Sequence, residues 1–236
     1  MKPKVLFIGS IGAVAETSEL QRQAYNQALQ ENGINWQWDT SVYKRLLKSN
    51  GGQDRLDMLA TATGVDMPQD KIESIHARKT ELAGNLIKEH QVQPRAGLKN
   101  LIHEAKKAGT KVAWVTTTGR ENTDSILAAF DGEITHNDFD HIFHREDAEF
   151  GKPQPHIYKA AMKHFKCKPH ECIAIEDSLN STLAAKGAGI YTVTTLGDYH
   201  DEHVEGVTDK QYDSLDQTNW NDLTAAYKNS IITPIL

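Results

Sequence analysis

The segment from Lys4 to Glu19 is the first part of the chain whose residue types suggest chemistry. It combines an apolar run, Val5 to Ile8, with a glycine break at Gly9 and the entry to a helical pattern. A strand, loop and helix in this order are typical of phosphate-handling proteins, because the backbone N–H groups at the helix start can bind an anion. No carboxylate stands at the end of the strand, where such a unit delivers its chemistry. The segment therefore predicts descent from phosphate-handling proteins, but it contains no evident reactive group.

Three further segments follow at suitable spacing. They are an apolar strand that ends at Thr116, a Gly151-Lys152-Pro153 turn, and an apolar strand that ends in Glu176-Asp177 before an Ala-rich helix. Together with A-E-T-S-E-L at positions 15–20, this set resembles the haloacid dehalogenase (HAD) superfamily of phosphohydrolases. Within it, the set is similar to the CbbY-like and phosphoglucomutase-like sugar phosphatases, which carry a small helical cap. The resemblance covers nearly the whole chain, and four motifs in order make a chance match a poor explanation.

The resemblance also shows what the first motif lacks. In the family this motif reads D-x-D-G-[TV], and the alignment leaves Gly12 as the motif glycine, Gly9 at the nucleophile position and Ile11 at the acid/base position. The first aspartate of the family attacks phosphorus, and the second moves protons to the leaving oxygen and from water. Gly9 and Ile11 supply neither function. No catalytic residue is intact, and we expect phosphatase activity to be lost.

The resemblance assigns the remaining motif residues to binding. It implies phosphate binding by Thr116, Thr117 and Lys152, and residual metal binding by Glu176 and Asp177. Mg²⁺ is the cofactor that the family implies; it prefers carboxylate oxygens, so without the two aspartates we expect its binding to be weak or absent. The structural alternative is that Thr116 only caps the following helix and Lys152 is a surface lysine. Lys152 could also pair with Asp177 or Glu176.

Two hypotheses for function follow from this pattern. The first is a noncatalytic protein that binds a phosphorylated sugar, other small phosphate ester or protein partner, as a sensor or regulator. The second is an active hydrolase that uses water or a non-standard nucleophile. Ser10 is the nearest candidate nucleophile, but side chains alternate along a strand. If Gly9 and Ile11 face the site, Ser10 is predicted to point away from it.

A second group of candidate residues lies between the first two motifs. Residues 38–47, 51–55 and 76–80 resemble the cap of CbbY-like proteins. The resemblance implies substrate binding by Gly51, Gly52 and Arg55, and a phosphorylated pentulose or related sugar as substrate class. Glycines expose backbone N–H groups to an anion, and an arginine fork can bind a second phosphate or a sugar hydroxyl. The alternative is a turn between helices with a solvated arginine.

The elements that position these residues indicate an α/β fold. Short apolar segments rich in β-branched residues predict buried parallel strands at 5–8, 112–115, 142–143, 172–175 and 191–194. Amphipathic segments at 98–108, 121–130, 155–165 and 181–188 predict helices between them. We therefore expect a Rossmann-like parallel sheet with helices on both faces and an inserted helical cap. The predicted core domain comprises residues 1–15 and 94–236, and the predicted cap domain comprises residues 16–93.

Composition restricts the partners. The chain has 236 residues and a formal net charge of −6, so it has no electrostatic footprint for nucleic acid or an anionic membrane. Neither a signal peptide nor an apolar stretch of membrane-spanning length is evident, and a cytoplasmic protein is expected. Cys167 and Cys172 are predicted to be free thiols. The apolar segment at 230–236 is expected to pack on its own domain, with a protein partner as the alternative.

Overall fold

The computed structural model describes residues 2–49, 51–200 and 203–232. Within them the strands form one parallel sheet in the order β3-β2-β1-β4-β5-β6. The strands are Val5–Ile8 (β1), Lys111–Val115 (β2), His141–Phe143 (β3), Cys172–Glu176 (β4), Tyr191–Thr194 (β5) and Lys210–Gln211 (β6). The predicted α/β fold class is confirmed. The sequence analysis missed β6, because its two residues are polar and exposed and give no apolar signal.

Ten α-helices surround or precede these strands in the described part of the chain. They are Ile11–Val14 (α1), Ser18–Glu31 (α2), Thr40–Leu46 (α3), Gly52–Thr63 (α4), Gln69–Glu89 (α5), Leu98–Lys107 (α6), Arg120–Ala129 (α7), His156–His164 (α8), Leu179–Gly187 (α9) and Trp220–Ile232 (α10). The four helices predicted between the strands correspond to α6, α7, α8 and α9, and both bounds of each prediction lie within two residues of the observed bounds. None of the described helices is both long enough and apolar enough to cross a membrane. Residues 233–236 of the apolar C-terminal segment lie outside the described residues.

Two apolar clusters cover the two faces of the sheet. Leu6 and Ile8 belong to one cluster, whereas Val5 and Phe7 belong to the other. All four side chains are buried, because successive side chains of a strand point to opposite faces and helices pack on both. This double burial explains why the strands appear as continuous apolar runs in the sequence.

A third apolar cluster lies among helices α2 to α5, which all fall within residues 16–93; we refer to these residues as the cap region. Its centre is aromatic: the ring of Tyr25 lies 4.8 Å from Trp38 and 6.1 Å from Tyr43, measured between centroids. Helix α5 runs against α7, and a Cβ at Gly84 would lie 2.8 Å from Ser125 Oγ. A side chain at position 84 would therefore separate these two helices. The domain boundaries themselves stay a prediction.

Candidate functional site

The carboxyl ends of β1, β2 and β4 bring the predicted core residues together. Ile8 is in register with Trp114 on one side and with Ile175 on the other. The next residue, Gly9, donates its N–H to the carbonyl of Ile175 at 2.7 Å. The ends of neighbouring parallel strands share one edge, which is where α/β proteins bind their ligands. Gly9 is thus placed between the strand ends that carry Thr116 and Glu176.

Glu176 occupies the space that a side chain at position 9 would need. A Cβ built on Gly9 would overlap both carboxylate oxygens of Glu176, well inside van der Waals contact. The Glu176 side chain is completely buried. The space beside Gly9 is therefore filled by the carboxylate of an acid from β4.

Lys152 compensates the charge of this buried acid. Its Nζ lies 2.6 Å from Glu176 Oε1 and also donates to the carbonyl of Val115 at 3.1 Å. The hydroxyl of Tyr158 donates to the same carboxylate oxygen, and Ser10 Oγ lies 2.9 Å from Oε2. Lys152 is 6% exposed, so the interpretation as a surface lysine is wrong. Of the two predicted acid partners, Glu176 is the one that Lys152 contacts.

The electrostatics of this group follow from its burial. Burial raises the pKa of the Glu176 carboxyl, and the Lys152 ammonium opposes that rise. Burial, together with the Glu176 charge, raises the pKa of Tyr158, so its hydroxyl stays protonated and donates. An external anion at Lys152 must therefore compete with an internal carboxylate.

Ser10 points into the site, and the prediction that it points away is wrong. Its Oγ lies 2.5 Å from Asp177 Oδ1 and 2.8 Å from Ser181 Oγ. Strand β1 already ends at Ile8, and Ser10 precedes helix α1 with φ −18° and ψ 176°. Strand alternation therefore does not extend to it. Ile11 is partly buried and packs against the apolar cluster on one sheet face.

Asp177 is held close to the backbone of the first motif. A Cβ at Gly12 would overlap Asp177 Oδ2, so only glycine leaves room for the carboxylate in this position. The Asp177 side chain is 5% exposed, and Ser181 Oγ lies 3.3 Å from its Oδ1. The hydroxyl groups of Ser10 and Ser181 contact this carboxylate, and among the described residues it forms no ion pair.

Thr116 closes the turn after β2. Its N–H donates to the carbonyl of Phe143 at 3.1 Å, and its Oγ1 accepts the N–H of Thr118 at 3.2 Å. Helix α7 begins after Gly119 and has no side-chain cap, so the interpretation of Thr116 as a helix cap is wrong. Thr116 is buried and Thr117 is partly exposed. Their role in phosphate binding stays a prediction.

The acids at the site do not fit a preformed Mg²⁺ site. Glu176 is paired with Lys152, and Asp177 is bonded to Ser10. Among the described residues, no group of three or more His, Cys, Asp or Glu side chains is placed to hold a metal ion. Mg²⁺ requires near-octahedral oxygen coordination and gives up water reluctantly. Binding would require Glu176 to leave its ion pair.

The cap region contributes a second cluster of charge. Arg55 is 8% exposed, its Nε donates to the carbonyl of Leu46 at 2.9 Å, and its guanidinium lies 5.6 Å from the Tyr25 ring centroid. The interpretation of Arg55 as a solvated arginine is therefore wrong. A Cβ at Gly52 would overlap His76 Nε2 and the Tyr25 hydroxyl, so this glycine also permits close packing.

Lys79 and His76 also belong to this cluster; the 76–80 segment was part of the cap resemblance, but no binding role was predicted for either residue. Lys79 Nζ lies 4.8 Å from the Tyr25 ring centroid and is buried. Burial, reinforced by the positive charge of Arg55, lowers the pKa of Lys79 to about 7. Burial likewise lowers the pKa of His76 to about 4. The signal that could have found both residues is their spacing of three along α5, which puts them on one helix face.

A direct hydrogen bond connects the cap region with the start of α9, next to the core site. Asn180 Nδ2, at the start of α9, donates to the carbonyl of Lys48 at 3.2 Å. Lys48 belongs to the turn that leads to Gly51 and Gly52. The predicted cap residues Gly51 and Gly52 therefore lie close in sequence to a residue that contacts the start of α9, just after Glu176 and Asp177.

Comparison with known proteins identifies the family. The family model for haloacid dehalogenase-like hydrolases matches residues 12–195. The chain belongs to this family. The match begins at Gly12, just after Gly9 and Ile11.

CbbY proteins are among the relatives that this chain resembles. Protein CbbY of Cereibacter sphaeroides is 36% identical over 193 residues, which cover 81% of this chain and 84% of the relative. Crystal structures of CbbY from Rhodobacter sphaeroides, one with phosphate and one of a mutant with xylulose-(1,5)bisphosphate, each give a TM-score of 0.85. Both are 34% identical, covering 91% of this chain and 96% of the other. Beta-phosphoglucomutase from Clostridium difficile, at 18% identity and a TM-score of 0.81, shares the fold. The predicted CbbY-like subfamily is confirmed.

Proposed function

We propose that this chain binds a phosphorylated sugar, or another small phosphate ester, and has lost the phosphatase activity of its family. The observation that carries the proposal is the burial of the Glu176 carboxylate over Gly9, where a nucleophile would stand. No side chain at Gly9 or Ile11 can attack phosphorus or move a proton. Members of the family generally use Mg²⁺; here its binding is weak or absent, because one of the two remaining acids is already paired with Lys152.

Phosphate binding in the core depends on Lys152 and the turn at Thr116 and Thr117. The CbbY structures with phosphate and with xylulose-(1,5)bisphosphate support a ligand of this class. In this chain the anion first has to displace Glu176 from Lys152, which lies 2.6 Å away. Protonation of Glu176 assists that displacement, so anion affinity rises as the pH falls.

The cap region supplies the second half of the proposed site. Arg55 and Lys79 are buried cations, and Lys48, which precedes Gly51 and Gly52, contacts the start of core helix α9. A ligand with two anionic groups could therefore use both regions. The division into a core of residues 1–15 and 94–236 and a cap of residues 16–93, and a cytoplasmic location, are parts of the same proposal.

Calorimetric titration with inorganic phosphate and with xylulose-(1,5)bisphosphate, beside phosphatase assays with Mg²⁺, tests the proposal. We expect binding without turnover in the native chain, tighter binding in Glu176→Gln, and no phosphate binding in Lys152→Ala combined with Glu176→Gln. Lys159→Ala, at an exposed lysine of α8, is the matched control and should bind as the native chain does. Turnover that depends on Mg²⁺ and on Lys152 would refute the loss of activity, whereas absence of any binding would refute the ligand site.

The position of Ser10 favours a second candidate function, a hydrolase with a serine nucleophile. Its Oγ lies 2.5 Å from Asp177 Oδ1, an acceptor for the serine proton. The neighbouring carboxylates of Glu176 and Asp177 would repel an incoming phosphoryl group, which makes this candidate the weaker one. Mass spectrometry after incubation with a sugar phosphate distinguishes the two: a phosphorylated Ser10, absent from Ser10→Ala, would support the hydrolase.

A further inference from the structure

The two cysteines of the chain face each other outside the proposed ligand site. Cys167 follows helix α8, and Cys172 is the first residue of β4. Their Sγ atoms are 3.3 Å apart, and both are free thiols. Cys172 is completely buried, whereas Cys167 is partly exposed. Cys167 is thus partly accessible from solvent, and the Cys172 thiol lies next to it in the interior.

Local backbone geometry keeps the pair together. After α8 the chain turns at Lys166, which has a positive φ of 49°, and the N–H of Cys167 donates to the carbonyl of Met162 at 3.0 Å. A short 3₁₀ turn, Pro169–Glu171, then leads directly into Cys172. The backbone N–H of Lys4 donates to the carbonyl of Glu171 at 2.7 Å, and their side chains pair at 2.8 Å, which anchors this turn to β1. Closing the gap to an S–S bond of about 2.05 Å requires a movement on the order of 1 Å.

We propose that Cys167 and Cys172 form a peroxide-sensitive dithiol that closes to an intramolecular disulfide. In the first step the Cys167 thiolate attacks one oxygen of hydrogen peroxide, the O–O bond breaks, and hydroxide leaves and takes up a proton. In the second step the Cys172 sulfur attacks the resulting sulfenic sulfur, the S–O bond breaks and the oxygen leaves as water. Two thiols are oxidised to one disulfide, and one peroxide is reduced to two waters.

The surroundings of the two thiols favour Cys167 as the attacking thiol and Cys172 as the resolving thiol. A hydrogen bond with Cys172 lowers the pKa of the Cys167 thiol, and the nearby Lys4 ammonium acts in the same direction. The same hydrogen bond, together with burial, raises the pKa of Cys172. Because the thiolate is the attacking species, Cys167 reacts first and Cys172 resolves the sulfenic acid.

The pair lies at the opposite end of β4 from the ligand site. Cys172 is the first residue of this strand, and Glu176 is its last. Thiol oxidation can therefore be followed without a ligand or an activity assay. Failure of this inference leaves the proposed function untouched, and the reverse also holds.

The experiment treats the reduced full chain with hydrogen peroxide and follows free thiols and intact mass. In the native chain we expect both thiols to disappear, with loss of the mass of two hydrogen atoms, in a monomer that dithiothreitol restores. Cys172→Ala should instead gain oxygen on Cys167, and Cys167→Ala should react far more slowly. Oxygen gain by the native chain, a disulfide-linked dimer, or resistance to peroxide would each overturn the proposal.

A second measurement avoids the variants altogether. The native chain is incubated with oxidised glutathione, quenched with N-ethylmaleimide and mapped by peptide mass. We expect an internal Cys167–Cys172 disulfide with release of glutathione. A stable glutathione adduct on Cys167 would show that Cys172 cannot resolve it and would refute the dithiol.

Discussion

Lys152 in the core and Lys79 in the cap region are both buried lysines, but the charges around them differ. Lys152 pairs at 2.6 Å with Glu176, which is itself completely buried. Lys79 lies over the ring of Tyr25 near Arg55, and among the described residues neither of these cap cations forms an ion pair with a carboxylate. The core is therefore internally compensated, whereas the cap region carries buried positive charge.

The difference lies in what each lysine faces. The carboxylate of Glu176 occupies the space beside Gly9 and pairs with Lys152. Within the described part of the chain, no carboxylate forms an ion pair with Arg55 or Lys79. We therefore expect an anionic ligand to gain more from the cap region than from the core, because only in the cap region does it meet uncompensated charge.

The largest effect is expected from breaking the compensated pair. Lys152→Ala leaves Glu176 buried without its cation, which should lower the free energy of unfolding by about 3–5 kcal/mol near neutral pH. Because burial raises the pKa of Glu176, the carboxyl takes up a proton more readily in the folded chain. The variant should therefore approach native stability as the pH falls toward 4.5, the ordinary value for this group.

Urea unfolding at several pH values measures this loss. Adding Glu176→Gln to Lys152→Ala should restore most of the stability, since no buried charge then remains. The exposed Lys159→Ala should stay within about 0.5 kcal/mol of the native chain. If Lys152→Ala behaves like Lys159→Ala, the pair is not a buried ion pair in solution.

Gly9→Ala tests whether Glu176 occupies the vacant position. The new methyl group would overlap the Glu176 carboxylate, which would have to leave Lys152 or Ser10. Overpacking of this kind should cost about 1–3 kcal/mol. Gly187→Ala in α9, where the nearest atom is Pro155 Cβ at 3.7 Å, should be neutral or stabilising by up to about 1 kcal/mol. Equal thermal unfolding of the two variants would contradict the filled position.

Lys79→Met tests whether the cap region contains an uncompensated buried charge. Removal of an uncompensated buried cation should stabilise the chain at neutral pH by on the order of 1–3 kcal/mol. The pKa of Lys79 is lowered from 10.5 to about 7, so the unfolded chain binds a proton that the folded chain does not between these values. The free energy of unfolding of the native chain should therefore rise with pH between about 7 and 10.5, and this rise should be absent from the variant. Identical pH profiles would show that Lys79 is solvated.

The sequence predicted the parts of this fold that depend on local pattern. Continuous apolar runs identified the buried strands. The motifs that contain Lys152 and Glu176 also led to the expectation that Lys152 could pair with an acid of the fourth motif. The orientation of Ser10 was missed because it depends on where β1 ends, which the apolar run does not specify. The position of the Glu176 carboxylate beside Gly9 was also missed, because it depends on the pairing of β1 with β4, which lie far apart in the sequence. Lys79 and His76 were missed because burial, rather than residue type, gives them their properties.

The smallest gain in activity is expected from placing aspartates at Gly9 and Ile11. Gly9→Asp together with Ile11→Asp should displace Glu176 from its pair and place it with Asp177 and the new carboxylates, so that calorimetry detects Mg²⁺ binding that the native chain lacks. Phosphatase activity should return only weakly, because Ile11 also contributes apolar packing whose loss costs on the order of 1–3 kcal/mol.

The matched control, Gly9→Asn with Ile11→Asn, has the same shape without the charge and should displace Glu176 but bind no metal. Each aspartate alone should do less, since Gly9→Asp provides no proton shuttle and Ile11→Asp provides no nucleophile. Tight Mg²⁺ binding by the native chain would mean that other ligands complete the site, and the assignment of Gly9 and Ile11 to the lost aspartates would then be wrong.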